Sequence, residues 1–442
     1  MDGGMEDAAP LPAPLEAWLD TLLQDPDDLR DVLNRLDGIG CRAWLVGGCV
    51  RDALSHQPVY DVDLAVDLEP ADLLAAFGDR AKDTGAEFGT VTLLAANGAP
   101  FQATTLRIDG TYVDGRRPAS IELTTDLAKD VARRDLTINA MAVDPARRCL
   151  IDLHGGQRDL NDGVLRAVGR ASERLHEDAL RIMRVYRFAA QAREDGSPWR
   201  IEASLRRALA ANADRLSMVA MERVWHELQR LLRGEHAPRV MWMMHEDGVL
   251  DKVLPDANLS TSGFAHFPHP RVGAGTGRDE GRVEGRLALL LADLDGREVT
   301  ACLRRLTAPR KVIDRVARLH RSLAEPPPTT PAEVRLLHHR WQGDLPLHVN
   351  TALSRDIALG GTGWEGALDM IEATAPARMA EPLLDGHTIM AHTGLSKGER
   401  LGRLKTWLHR IQLEQDVVDE GVMLGHLGRL PWNGPVASWP RL

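Results

Sequence analysis

The stretch from Trp44 to Val66, WLVGGCVRDALSHQPVYDVDLAV, constrains this chain more than any other. A strand-like run ends in Gly47-Gly48, where the missing side chains let backbone amides approach a polyanion, and Arg51 follows one helical turn on, placed to pair with its charge. A Gly-Gly after a strand is by itself usually only a turn. Asp61-Val62-Asp63 adds chemistry: in a strand, residues i and i+2 face the same side, so both carboxylates would point into one patch. Two like charges so close are costly unless cations lie between them. Mg²⁺ held by one or two carboxylates plus substrate phosphates is the usual arrangement for nucleotidyl transfer, so Asp61 and Asp63 are the candidate catalytic and metal-binding residues. An exposed Asp-x-Asp turn would predict polar neighbours, whereas Val59, Tyr60, Val62 and Leu64 flank this pair.

With 442 residues the chain has room for several domains. From residue 42 to about 145, short β-rich runs (AWLVGG, VDLAV, FGTVTLLA, FQATTLRI, SIELTT) are punctuated by Gly, Asp and Pro, with a helical stretch at 70–80; long helical runs follow from 171 onward. The expected fold class is α+β. Residues 1–14 read as a mobile N-terminus, 15–170 as an α/β head with a small sheet, 171–260 as a helical neck, 261–331 as a helical body and 332–442 as a helical tail. The Gly-, His- and Pro-rich stretch 261–281 and the Pro326–Pro331 cluster supply the breaks. Cys41, Cys49, Cys149 and Cys302 form no CxxC pair, which argues for reduced thiols rather than zinc or disulfides. No apolar run is long enough to span a membrane and the start lacks a signal-peptide pattern, so a cytoplasmic address with no membrane partner is expected. The net charge of −10 counts against a nucleic-acid partner only if taken alone, since a basic stripe can sit on an acidic body.

VGGCVRD followed by DVD resembles the signature of the class II (bacterial-type) CCA-adding tRNA nucleotidyltransferases and of their relatives, the bacterial poly(A) polymerases. The resemblance continues in order through ATTLRIDGTYVDGRRP (103–118), VARRDLTINAMAVD (131–144), LIDLHGGQRDL (150–160), ERLHEDALRIMRVYRFA (173–189) and LSMVAMERVWHELQRLL (216–232). It implies a polymerase-beta-like nucleotidyltransferase head, two Mg²⁺ ions, CTP and ATP as substrates, and tRNA as partner through its acceptor stem and 3′ end, with no obligate protein partner. By family position the nucleotide would be bound by Gly47, Gly48, Arg51, Arg134, Asp178, Arg181, Arg184 and Arg187. The stretch containing Asp109, Gly110, Asp114, Arg116 and Arg117 would be the flexible loop. Arg133 and Asp135 would serve the fold, and Thr137 and Asn139 are open to either role. One departure is Gln102, which stands where the family usually has a further acidic residue; a Gln can still hydrogen-bond a metal-bound water. Past residue 255 the resemblance rests mainly on helical character.

Glu177, Asp178 and Arg181 reproduce the family's EDxxR template. On one helix, i and i+3 share a face. A carboxylate there accepts from an exocyclic amine while a guanidinium donates to the adjacent ring nitrogen, a pattern that cytosine and adenine both match and that uracil and guanine reverse. Arg184 and Arg187 continue a slanting basic stripe. Arg304, Arg305, Arg310, Lys311, Arg315 and Arg318 are candidate RNA contacts, read equally well as a solvated face. Aromatic residues make up only 4%, so a stacking surface for single-stranded RNA is not evident. The rival readings are a poly(A) polymerase, an enzyme adding only A or only CC, and an inactive helical RNA-binding protein. The FGTV run, the loop and EDxxR favour the CCA-adding side over a poly(A) polymerase, the intact loop argues against CC-only addition, A-only addition stays open, and the presence of both Asp61 and Asp63 opposes the inactive protein.

Overall fold

The computed structural model describes residues 8–109, 121–272, 281–434 and Trp439. Two compact units emerge: residues 1–257 with 304–308, and residues 258–303 with 309–442.

The first unit opens with β1 (Ala8–Pro10), α1 (Ala13–Leu22) and α2 (Leu29–Gly38). β2 (Ala43–Val46), α3 (Gly48–Leu54), β3 (Asp63–Val66), α4 (Pro70–Phe77), β4 (Ala81–Gly85), β5 (Thr90–Leu94) and β6 (Pro100–Thr105) follow. Then come β7 (Arg107–Asp109), β8 (Ile121–Leu123), α5 (Leu127–Ala132), a 3-10 turn at Thr137–Asn139, β9 (Ala142–Asp144), β10 (Cys149–Ile151) and α6 (Gly156–Asp162). The strands assemble in the order β1-β10-β9-β2-β3-β6-β5-β4, a wider sheet than the small one expected. Only β3 and β6 run parallel; every other neighbouring pair in this sheet is antiparallel. β7 and β8 pair separately. Residues 8–10, expected to be mobile, instead pair with β10 as an edge strand, a position that tolerates Pro10 because one side of an edge needs no donor.

One face of the sheet is sealed by Trp44, Val46, Ala65, Ala142 and Ile151 packing against Leu127, Val131 and Val168. Burying each large aliphatic side chain contributes about 1.5–3 kcal/mol, enough to hold the strand ends that carry the polar residues. Gly156 has no room for a side chain, because a Cβ would lie 2.3 Å from the Thr137 carbonyl oxygen. The 3-10 turn is thereby pressed onto α6, where Thr137 Oγ1 donates to Asp159 at 2.7 Å.

The unit continues through β11 (Val164–Leu165), α7 (Ala171–Glu177), α8 (Leu180–Ala190), β12 (Arg200–Ile201), α9 (Ala203–Ala211), α10 (Met221–Arg233), α11 (Ala237–Glu246) and α12 (Leu250–Val253). The helical run expected from residue 171, with Glu177, Asp178 and Arg181 on one helix, is in fact two helices. Asp178 adopts an extended conformation (φ −141°, ψ 105°) between α7 and α8, and its Oδ1 accepts from the Leu180 amide at 3.0 Å. A side-chain acceptor two residues before a free helical N–H competes with helix continuation, which a pattern of apolar spacing does not reveal.

The second unit is helical: α13 (Arg282–Leu290), α14 (Gly296–Arg305, its last two residues grouping with the first unit), α15 (Arg310–Ser322), α16 (Pro331–Trp341), α17 (Leu345–Ala358), α18 (Gly363–Ala373), α19 (Gly386–Thr393), α20 (Glu399–Gln415) and α21 (Glu420–Arg429). A capping box between Thr330 and Glu333 starts α16 directly after the proline cluster. Inside this unit Trp341 stacks on His348 at 4.3 Å, and burial pushes the His348 imidazole down to about 3. Among the described residues no helix is long and apolar enough to cross a membrane.

Candidate active site

Gly47 caps α3 with φ +80°, a left-handed conformation that glycine adopts without strain. A Cβ there would also meet an Arg134 Nη1 at 3.0 Å, so the absent side chain lets a guanidinium close over the Gly-Gly turn. Arg51, one turn into α3, donates through Nη1 to Asn139 Oδ1 at 2.5 Å and pairs with Asp52 at 2.7 Å. Asn139 Nδ2 in turn donates to Asp135 Oδ1 at 3.0 Å, and Asp135 Oδ2 accepts from Arg184 Nη2 at 2.6 Å. One polar chain thus runs from α3 through the 3-10 turn to α8. Burial alone would raise the Asp135 pKa, but Arg184 and the Asn139 hydrogen bond overcome it and hold the carboxyl well below the usual range. Arg134 is anchored by Asp130 at 3.1 Å, and its Nε–H is buried with no acceptor among the described residues. Arg133 pairs with the same Asp130 at 2.6 Å, in keeping with service to the fold.

Asp63 begins β3, while Asp61 lies two residues earlier in non-regular chain, so only one of the two carboxylates is on the strand proper. They are nevertheless neighbours electrostatically. Asp63 has its pKa raised by loss of hydration and by the Asp61 charge, with Arg134 opposing. The residue as a whole is exposed, yet its carboxylate sits among enough protein to lose part of its water. Cys49 lies close by, and burial pushes its thiol up to about 11, so it is a packed thiol rather than a nucleophile. The flanking residues are less apolar in setting than the sequence suggests: Tyr60 is 87% exposed. Gln102 is the direct partner of Asp63 in the parallel β3–β6 pair and is itself exposed. Among the described residues no group of three or more His, Cys, Asp or Glu side chains is placed to hold a metal. The two carboxylates, one strained by the other, and an amide beside them form an oxygen donor set suited to Mg²⁺ that keeps phosphate oxygens and water as further ligands.

The residues expected to read the base surround the break between α7 and α8: Glu177 ends α7, Asp178 lies in the link and Arg181 is in the first turn of α8. Because the helix is interrupted at Asp178, that residue and Arg181 do not share one continuous helical face; their arrangement is set by partners elsewhere. Arg181, largely buried, donates to Glu177 Oε2 at 2.5 Å and to the main-chain oxygens of Arg174 and Arg133 at 3.0 and 2.8 Å. Glu177 is also gripped by Arg174 at 2.5 Å. Asp178 Oδ2 accepts from Arg223 Nη2 at 2.9 Å. Arg223, at the start of α10, went unremarked in the sequence because it stands 45 positions after Asp178 and no pattern pairs the two.

The basic stripe does not act as one face. Arg184 turns to Asp135 in the head, whereas the Nε–H of Arg187 donates to Glu227 of α10 at 2.5 Å, buried between helices. In this structure Arg187, expected at the nucleotide, ties α8 to α10. Asp109 ends β7; Gly110, Asp114, Arg116 and Arg117 lie outside the described residues. Of the candidate RNA contacts, Arg305 pairs with Asp256 and Arg315 with Asp344, while Arg310 and Lys311 are exposed.

A mixed sheet with a glycine turn, paired carboxylates at a strand entrance and an arginine-rich helix beside them is the head of a polymerase-type nucleotidyltransferase. Residues 43–166 match the Poly A polymerase head domain, and residues 200–259 match the probable RNA and SrmB-binding site of polymerase A. The chain is 35% identical to the CCA-adding enzyme of Geobacillus thermodenitrificans over 301 residues, 67% of this chain and 70% of that one. It is 42% identical to the CCA-adding enzyme of Lactiplantibacillus plantarum over 207 residues, 47% of this chain and 49% of that one. The chain belongs to the family of the CCA-adding enzymes. It spans about half the length of several of the curated relatives that it matches. The Bacillus stearothermophilus CCA-adding enzyme in complex with CTP superposes with a TM-score of 0.66 at 25% identity, covering 94% of this chain and 98% of that one. The Thermotoga maritima enzyme complexed with tRNA shares the fold, with a TM-score of 0.65 at 21% identity over 92% and 97% of the two chains.

Proposed function

We propose that this protein adds and repairs the 3′-terminal CCA of tRNA, using CTP and ATP without a nucleic-acid template. The observation that carries this reading is the joining, in one unit, of the Asp61–Asp63 pair with the Glu177, Asp178 and Arg181 cluster. The first suits nucleotidyl transfer and the second suits reading a base that presents an amine beside a ring nitrogen. The relatives named for CCA addition, and neighbours bound to CTP, ATP or tRNA, support the same choice.

In this reading Gly47 and Gly48 open the α3 amides to the triphosphate, with Arg134 beside them and its spare Nε–H available to a phosphate oxygen. Asp61 and Asp63 would hold two Mg²⁺ ions, which when bound polarise the α-phosphate and lower the pKa of the attacking hydroxyl. The tRNA 3′-oxygen forms the new bond to the α-phosphorus, its proton leaves, and pyrophosphate departs with the electrons of the broken P–O bond. Asp178 and Arg181 orient the base, and the Arg51–Asn139–Asp135–Arg184 chain keeps α8 in register with α3. The head, neck, body and tail expected from the sequence would then divide the labour, the helical second unit gripping the acceptor stem through phosphates and 2′-hydroxyls.

The test is incorporation of single labelled nucleotides into tRNA transcripts that lack CCA, end in CC, or carry complete CCA. CMP on the first, one AMP on the second and nothing on the third are expected. Repeated AMP addition to any RNA would make the protein a poly(A) polymerase, and AMP without CMP an A-adding enzyme.

A further inference from the structure

We infer that Arg223 is a positioning residue for base selection, setting the direction in which Asp178 presents its carboxylate; this rests on the function proposed above and deepens it. Asp178 needs such help. It lies in the extended link between α7 and α8, so no continuous helix backbone fixes its side chain. A carboxylate that discriminates bases by accepting one amine hydrogen must hold its direction, since a rotated oxygen leaves the right base as poorly paired as the wrong one. Two contacts provide this. The Leu180 amide takes Oδ1 at 3.0 Å, and the Arg223 Nη2–H takes Oδ2 at 2.9 Å.

Arg223 stands on a rigid base. It belongs to the first turn of α10, whose Val224, Trp225, Leu228 and Leu231 are buried, and α10 is tied to α8 by the buried Arg187–Glu227 pair. The guanidinium is charged at every working pH and planar, so it holds the carboxylate in a fixed geometry that a lysine cannot reproduce. Each oxygen of Asp178 keeps a lone pair for a ligand. The Nη1–H of Arg223 is buried with no acceptor among the described residues, which leaves it a donor to spare beside Asp178. Glu177 is held by Arg174 on Oε1 as well as by Arg181 on Oε2, so each of the two acids has an arginine partner from outside the EDxxR pattern.

The experiment uses the full-length protein, tRNA transcripts lacking CCA or ending in CC, and CTP, ATP, UTP and GTP supplied singly. Arg223→Ala is expected to lower the preference for CMP over UMP, and for AMP over GMP, by tenfold or more, while kcat for CMP stays within a few-fold and KM for CTP rises. Arg223→Lys is expected to recover part of that preference. Asp178→Ala combined with Arg223→Ala is expected to be no less selective than Asp178→Ala alone, because the arginine acts only through the carboxylate. Unchanged selectivity in Arg223→Ala, or losses that multiply in the double variant, would overturn the assignment and make the pair an ordinary structural bridge. Should Arg223→Ala fail to fold, Arg223→Lys decides: wild-type selectivity in a folded lysine variant overturns the inference. Wild-type protein that adds no CMP would refuse the proposed function itself, a result distinct from activity with selectivity that ignores Arg223.

Discussion

Asp63 and Gln102 are direct partners across the parallel β3–β6 pair, so a neutral amide stands beside the carboxylate at the strand entrance. Side chains of partnered residues in neighbouring strands emerge on the same face, within reach of a shared ligand. Gln102→Glu should therefore add a third carboxylate to the donor set without disturbing the sheet. The expected outcome is a several-fold lower Mg²⁺ concentration for half-maximal CMP incorporation. An unchanged Mg²⁺ requirement would place the metals away from β6.

Asp63, when ionised, is held at a cost to the fold. Its pKa is raised in the folded protein, by burial first and by Asp61 as well. Its contribution to stability is thus present below the ordinary carboxylate pKa of about 3.9 and is lost as pH rises through the raised value. At neutral pH and without metal, the ionised group works against the fold. Asp63→Asn should melt no lower than wild type at pH 7 in the presence of a chelator, while losing incorporation of both CMP and AMP. Mg²⁺ should raise the melting temperature of the wild type and not of the variant. A variant that melts lower without metal would show that the carboxylate is structurally supported instead.

Asp135 has the opposite sign. Arg184 and Asn139 hold its pKa below the ordinary value, so its stabilisation is present above about pH 4 and is lost as pH falls through the depressed folded value. Asp135→Ala would leave Arg184 without its partner at the junction of head and α8. Asp135 is buried but Arg184 reaches solvent over about a third of its side chain, so the loss is about 1–3 kcal/mol, below that of a fully buried pair; the urea midpoint should fall at pH 7 and the gap to wild type should narrow in strong acid. Equal midpoints at pH 7 would mean that Arg184 finds another acceptor.

On the proposed function, the stretch from Asp109 to Pro118 would bear on the change from C to A. Cytosine and adenine show the template the same donor–acceptor pattern and differ in size, so the same residues must accept both. Gly110 and Gly115 with Asp114, Arg116 and Arg117 form a polar segment whose composition suits a change of position between the two additions. Deleting residues 110–116, or replacing Arg116 and Arg117 with Ala, should leave CMP addition to a CC-lacking tRNA largely intact. AMP addition to a tRNA ending in CC should fall tenfold or more, about 1.4 kcal/mol in the barrier. Equal losses for both nucleotides would make the segment part of the common catalytic core.

Local chemistry was legible in the sequence. Gly47-Gly48 before a helix, Asp61 and Asp63 two residues apart, Gln102 in an acidic position and the EDxxR run are short-range patterns, and steric and electrostatic rules act on them over a few residues. The core strands β2, β3, β5 and β6 and the order of helices beyond 170 followed from periodicity for the same reason. What tertiary structure decided were partnerships between residues far apart in the chain. The edge strand Ala8–Pro10 exists because β10 offers it free backbone groups. The helix expected across Asp178 breaks because the side chain satisfies the Leu180 amide itself. Arg187 turns into the helix pair because Glu227, 40 residues later, is there to receive it, and Asp178 is held by Arg223 from α10. A buried charge is placed by whichever opposite charge packing brings near, and no spacing along the sequence records that choice.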